Sequence, residues 1–210
     1  MNKVLRTSLL AALITPTLTA APLASAQEKF REDLYYVGVL GSLFNYRSVL
    51  ERVPLEGGGR TQQYNDGWGS GVTLVAGDHI SELFHVELRL GGGFKEADIG
   101  NTGASLNVDF FASWYIGLHY HLGEGANIYG QFGFSYIGGD ADLPNEEARY
   151  AFPQLQEEFP ESAFSKSWIA GLDYEVLDNV YFVLEGGNLF EDTLTEVNTF
   201  QFNSGVRYEF

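Results

Sequence analysis

The chemistry open to this 210-residue chain rests on four histidines, a set of charged residues at strand-like spacing, and the lack of any cysteine. His119 and His121 stand at i and i+2, which puts both imidazoles on one side of an extended segment. If the segments 83–95 and 105–122 pair as a hairpin centred near residue 102, His85 faces one or the other of them. Three imidazoles gathered in this way could hold zinc, copper or nickel. The same residues serve equally as polar lining or as groups at a water interface, so no metal ligands and no cofactor are assigned. The missing cysteine excludes a disulfide framework, a thiolate zinc site and a lipid-modified N-terminal cysteine.

The charged set is Glu87, Arg89, Asp109, Asp173, Glu175, Glu185 and Arg207, each at the polar parity of an alternating segment. If those faces converge on a closed interior the charges must pair, because an isolated buried charge loses its proton or gains one rather than stay ionised. The expected arrangement is an ion-pair network with Glu87, Arg89, Glu185 and Arg207 as its main members. A narrow gated pore through the same residues is the alternative.

The elements that would position these groups are strands. In Phe84-His85-Val86-Glu87-Leu88-Arg89-Leu90 every even residue is apolar and every odd one polar, a pattern no helix produces. Leu106, Val108, Phe110, Ala112, Trp114, Ile116, Leu118, Tyr120 and Leu122 extend one apolar face, with Asn107, Asp109, Ser113, Tyr115, His119 and His121 opposite. Strands of soluble sheets run about five or six residues, whereas a tilted bilayer-crossing strand needs roughly nine to eleven. The same template gives eight strands, at 33–44, 67–77, 83–95, 105–122, 127–138, 164–177, 180–189 and 197–210. The connections at 78–82, 123–126 and 178–179 are short, and those at 45–66 and 139–163 are long, as in a barrel with short turns on one side of a membrane and loops on the other.

Composition narrows the partners. Twelve basic against 28 acidic residues give a formal charge of −16, which argues against a nucleic-acid phosphate backbone, and 15% aromatics argue against disorder. Residues 1–26 carry Lys3 and Arg6, an apolar centre from Leu9 to Ile14 and the small-residue site Ala24-Ser25-Ala26. That is the layout of a cleaved signal peptide, leaving 27–210 as one barrel domain.

The last eleven residues place Phe200, Phe202, Val206, Tyr208 and Phe210 on one face and end on phenylalanine. This resembles the C-terminal signal of bacterial outer-membrane proteins, of which Phe202, Val206, Tyr208 and Phe210 are the residues carried over. The resemblance implies recognition by the barrel-assembly machinery. The region 27–210 is similar to the small eight-stranded outer-membrane barrels of the OmpA-like transmembrane-domain type, with the OmpW-like group as a near neighbour. What the resemblance implies is an all-β, antiparallel up-and-down transmembrane barrel, exported through the periplasm to the bacterial outer membrane. Its expected partners are lipid and lipopolysaccharide, and it is expected to be a monomer.

Some barrels of this size modify lipid A with a serine, a histidine and an acid. Here His79, His85, His119 and His121 all fall at or beside the short turns, whereas Ser135 and Ser167 have no histidine on their side of the membrane. A nucleophile needs its base within hydrogen-bond reach, so no catalytic residue is assigned and no enzyme is expected. The segment 139–163 carries Asp140, Asp142, Glu146, Glu147, Glu157, Glu158 and Glu161 against Arg149, and 45–66 carries Arg47, Arg52, Arg60 and the Gly57-Gly58-Gly59 hinge. Both read as loops, the first anionic, the second suited to lipopolysaccharide phosphate or simply flexible. The function expected is a structural or surface-interaction role for a plugged barrel. The alternatives are a narrow channel for small or hydrophobic solutes and an adhesin acting through its external loops.

Overall fold

The computed structural model describes residues 31–210 except 56, 124, 156–158, 161–163 and 194; the expected signal peptide at 1–26 lies outside the described residues. Among the described residues nine strands form one antiparallel sheet: β1 Tyr35–Pro54, β2 Arg60–His79, β3 Phe84–Lys95, β4 Ala97–Ile99, β5 Ala104–Gly123, β6 Ala126–Asp142, β7 Phe164–Leu177, β8 Val180–Glu191 and β9 Asn198–Glu209. Strand β4 continues β3 past Glu96, and the two share β5 as a neighbour, so the sheet closes into a ring of eight staves. Closure runs through β1 with β9 and β3 with β5, which gives every stave of the ring a neighbour on both sides. No helix among the described residues is long and apolar enough to cross a membrane; the strands do so instead.

Side-chain parity divides the barrel into two zones. From the turns at 80–83 and 178–179 upward, the outside is apolar: Val37, Val39, Leu43, Leu74, Leu88, Ile116, Leu118, Leu172, Leu184 and Val206 are all exposed. Polar and aromatic residues point inward over this stretch, with Leu40, Val75, Ile169 and Val183 among them. Several inward rings lie opposite a cross-strand glycine, as in the pairs Tyr36 with Gly77, His85 with Gly117 and Tyr129 with Gly171. A Cβ at Gly117 would overlap the His85 imidazole, so glycine there is what gives the ring its room.

Toward the other end the parity reverses. In β5 the pairing with β6 slips between Val108 and Phe110, so Asp109 is the bulged residue; Phe110 faces out while Val108, Leu106 and Ala104 turn in. A slip between Tyr46 and Val49, with Ser48 in the left-handed region at φ 64°, keeps Phe44, Tyr46 and Val49 all buried. A third slip between Asn188 and Phe190 buries Leu189 and Phe190 together. These residues join Ile99, Phe111, Ile137 and Val197 in an apolar core that fills the outer end of the barrel. The physical reason is that this end stands in water: its outer wall must be polar and its interior can be dry.

Two sequence expectations are corrected here. Asp109 is exposed on the outside, where Asn107 donates to it at 2.7 Å, and it takes no part in an interior network; the bulge moves it out of phase. The connection 45–66 is not a long loop, because β1 and β2 each run 20 residues and leave only 55–59 as their turn. At ~3.3 Å per residue such strands extend well past what the hydrocarbon requires. The connection 139–163 is also ordered in part. It carries α1, Glu146–Ala151, whose Asn145 cap accepts from the Ala148 amide at 2.8 Å, and a 3-10 turn at Pro153–Leu155. Phe152, Leu155 and Phe159 from this segment are buried in the outer core, whereas Glu157, Glu158 and Glu161 lie outside the described residues.

The chain has no native cysteine, so single-cysteine nitroxide labels can test the reversal. Labels at Phe110→Cys and Ile116→Cys are expected to be relaxed by oxygen dissolved in lipid, and one at Asp140→Cys by a water-soluble nickel chelate. Leu106→Cys should resist labelling in the folded protein; a lipid-accessible label at residue 106 would contradict the switch.

Candidate functional site in the barrel interior

Arg89 is the hub of the inner zone and is 1% exposed. Its Nε donates to Glu87 Oε1, its Nη1 and Nη2 to the two oxygens of Glu185, and Nη2 also to Gln131 Oε1 at 3.2 Å. The fork geometry of guanidinium suits this bidentate pairing. Glu185 further accepts from Tyr129 Oη at 2.5 Å and Asn203 Nδ2 at 2.8 Å, and Glu87 accepts from Tyr36 Oη at 2.9 Å. Two carboxylates thus share one arginine, and the phenols and the amide supply the remaining donors. A cavity beside them, walled by Leu40, Val75 and Val183 among others, has room for about one water.

A second cluster lies on the turn side. Arg207 donates to Asp173 at 2.7 Å and to Glu209 at 3.3 Å. Arg31, just before β1, reaches the same two carboxylates at 3.2 Å and stacks over Tyr181 at 4.2 Å. Burial opposes the Arg31 charge, but Asp173 and Glu209 outweigh it and hold its pKa above the ordinary arginine value. Asn127 completes the shell of Asp173 at 2.7 Å.

Of the charges expected at the interior, Glu87, Arg89 and Glu185 meet at the hub, and Asp173 and Arg207 meet in the second cluster. Glu175 does not join either: it sits half-buried at the turn and accepts from the Asn179 amide at 2.9 Å. Parity alone cannot separate a turn-end carboxylate from one deeper in the same strand. Sequence reasoning left out Arg31, which precedes the first strand and carries no periodicity signal.

The histidines also gather, but in a different set. His79, His85 and His119 are each more than nine-tenths buried, with ring centroids 4.8 Å apart for His79 and His119, 5.6 Å for His85 and His119, and 5.9 Å for His79 and His85. His121 is not among them; it is exposed, with Nδ1 2.9 Å from Asn127 Oδ1. His79 enters because β2 runs to the very turn and pairs His79 directly with His85. The tight turn at 80–83 was the available signal, since it fixes a register in which those two residues are opposite.

A closed antiparallel ring with an apolar outer band and a polar, ion-paired interior is a transmembrane β-barrel. The chain belongs to the outer membrane protein beta-barrel domain family, whose model matches residues 10–210, and it resides in the bacterial outer membrane in contact with the lipid bilayer. Among solved structures it is similar to the outer membrane protein OprG from Pseudomonas aeruginosa, with 11% identity, TM-score 0.56, and 86% of this chain and 97% of that one covered. It is similar also to AlkL as solved in DMPC bilayers, at 13% identity, TM-score 0.54 and coverages of 89% and 94%. Neisserial surface protein A aligns at 17% identity, TM-score 0.51 and coverages of 85% and 100%. No curated protein matches the chain by sequence. At these identities the likeness establishes the shared barrel.

Removing the hub cation leaves two buried carboxylates facing each other. Arg89→Ala is therefore expected to destabilise the barrel by about 3–5 kcal/mol, read as a lower urea midpoint in detergent or lipid. The triple replacement of Glu87, Arg89 and Glu185 by apolar residues should cost much less. An unchanged midpoint in Arg89→Ala would mean the hub does not hold the staves together.

Proposed function

We propose that this protein is a sealed outer-membrane barrel whose role is carried by its external surface. The observation that carries this reading is a double closure: the Arg89 and Arg207 ion-pair clusters fill the lipid-level interior, and the apolar core with Phe152, Leu155 and Phe159 fills the outer end. What such a barrel offers its surroundings is its tip. There Leu55, Tyr64 and Tyr150 are exposed, and Arg60 stacks over Tyr150 at 4.7 Å. Tyrosine and arginine are the side chains most often found to carry binding energy at interfaces. Family membership and the barrel likeness support the general kind of protein, and the tip chemistry supports surface interaction.

In this reading the signal peptide is cleaved after Ala26, the chain is a monomer, and the assembly machinery reads the outward-facing Phe202, Val206 and Tyr208 of β9 together with Phe210 just after it. Lipopolysaccharide is the outer-leaflet partner, met by exposed cations such as Arg47 and Lys166 at the upper rim.

A transport role is the second reading, favoured by one feature: the outer chamber is apolar and one of its covers is the connection between β6 and β7. Displacement of that cover would open an apolar mouth suited to hydrophobic solutes. Planar-bilayer conductance of heat-shifting, folded protein separates the two readings. The sealed barrel is expected to be silent, and discrete reproducible steps would transfer the proposal to a channel. For the surface role, the triple variant Arg60→Glu, Tyr64→Ala, Tyr150→Ala should lose cell or matrix binding at unchanged surface abundance; undiminished binding would remove the tip from consideration.

A further inference from the structure

We propose that His79, His85 and His119 form a binding site for a divalent transition metal of the zinc class inside the turn-side mouth of the barrel. One nitrogen from each imidazole comes within 4.8 Å of the others, and all three side chains are buried. The Nδ1 atom of every one of the three is buried without a hydrogen-bond partner. Three clustered imidazoles that each carry an orphaned buried nitrogen are costly for a lining that serves only to fill space, and a metal ion held by the cluster would give such nitrogens a partner. An ion equidistant from donors at most 4.8 Å apart would sit ~2.8 Å from each, so inward shifts of about 0.7 Å per ring reach the usual zinc–nitrogen length.

The surroundings supply what such ligands require. His79 Nε2 lies 3.3 Å from Glu209 Oε1, the carboxylate–imidazole pairing that fixes the ring and leaves Nδ1 free to coordinate. Glu209 Oε2 is itself buried without a partner, while Oε1 also meets Arg31 and Arg207, so the carboxylate serves to hold the His79 ring. His85 Nε2 meets the Gln131 side-chain amide at 2.8 Å, while Gln131 Oε1 accepts from Arg89. Coordination through His85 Nδ1 places the proton on Nε2, and Gln131 then turns its oxygen toward it; Arg89 keeps Glu87 and Glu185. The ring of His85 owes its position to Gly117, directly across the strand pair. Imidazole donors select zinc, copper or nickel over calcium or magnesium, which prefer oxygen.

The test uses the full protein isolated folded from outer membranes, stripped with chelator and titrated with Zn²⁺ against a chromophoric competitor. One ion per chain is expected, with affinity reduced at least about tenfold in each of His79→Asn, His85→Asn and His119→Asn, and unchanged in His121→Asn. Heat-dependent gel mobility confirms that each variant is folded. Should a histidine variant not fold, Cu²⁺ bound to the unaltered protein provides the second measurement: its electron paramagnetic resonance should carry splitting from imidazole nitrogens. No stoichiometric binding, binding that survives all three substitutions, or a copper spectrum with oxygen ligands only would each overturn the site.

Discussion

Hydrocarbon offers a peptide group no hydrogen-bond partner, and this one constraint dictates the ring. Every strand must be paired on both edges, so β1 meets β9 and β3 meets β5. Closing the sheet with eight staves leaves an interior only as wide as its side chains, which rules out an empty lumen and forces any polar residue inside to find its partner there. The Arg89 hub, the Arg207 cluster and the imidazoles are consequences of that confinement. So are the glycines opposite Tyr36, His85 and Tyr129, which make room for those three inward rings.

The second organising fact is that the protein lives in two solvents. At lipid level it is apolar outside and polar inside; in the water beyond, the order must invert. A strand cannot change its alternation continuously, because its side-chain period is two, so it inverts by inserting a residue. Asp109 in β5, the Arg47-Ser48 step in β1 and Leu189 in β8 do this. The outer end thereby acquires an ordinary buried core, and that core is what lets α1 and the 3-10 turn dock rather than wave in solution.

This explains which parts of the structure were legible in the sequence. Eight strand positions were read from the alternation, the short β4 alone being missed, and the ring follows from strand length and number. The apolar run from Leu106 to Leu122 is uninterrupted in sequence, yet it changes face at Asp109, because a bulge leaves composition untouched and is visible only in pairing. The long hairpin of β1 and β2 was read as a loop for the related reason that its outer part is polar on its exposed face, which at lipid level would be a disqualification and in water is not. In the site, the hub residues were legible because charge at inward parity is conspicuous. Arg31 lay outside any periodic segment, and His79 lay in what looked like turn; both depend on where the chain goes next to the last strand, which spacing alone does not specify.

Read from the turn side outward, the interior passes from imidazoles through paired ions to a dry apolar core. The apolar core packs the outer end and the ion pairs the middle, while at the turn-side mouth His79, His85 and His119 meet beside the Glu209 and Arg31 pair. The hub and the histidines nevertheless share one residue, Gln131, which bonds Arg89 on one side and His85 on the other. A change in what His85 binds must therefore be felt as a lost or regained hydrogen bond at Arg89. That arginine keeps its two carboxylates in either case, so the hub retains its ion pairs whichever way Gln131 is turned.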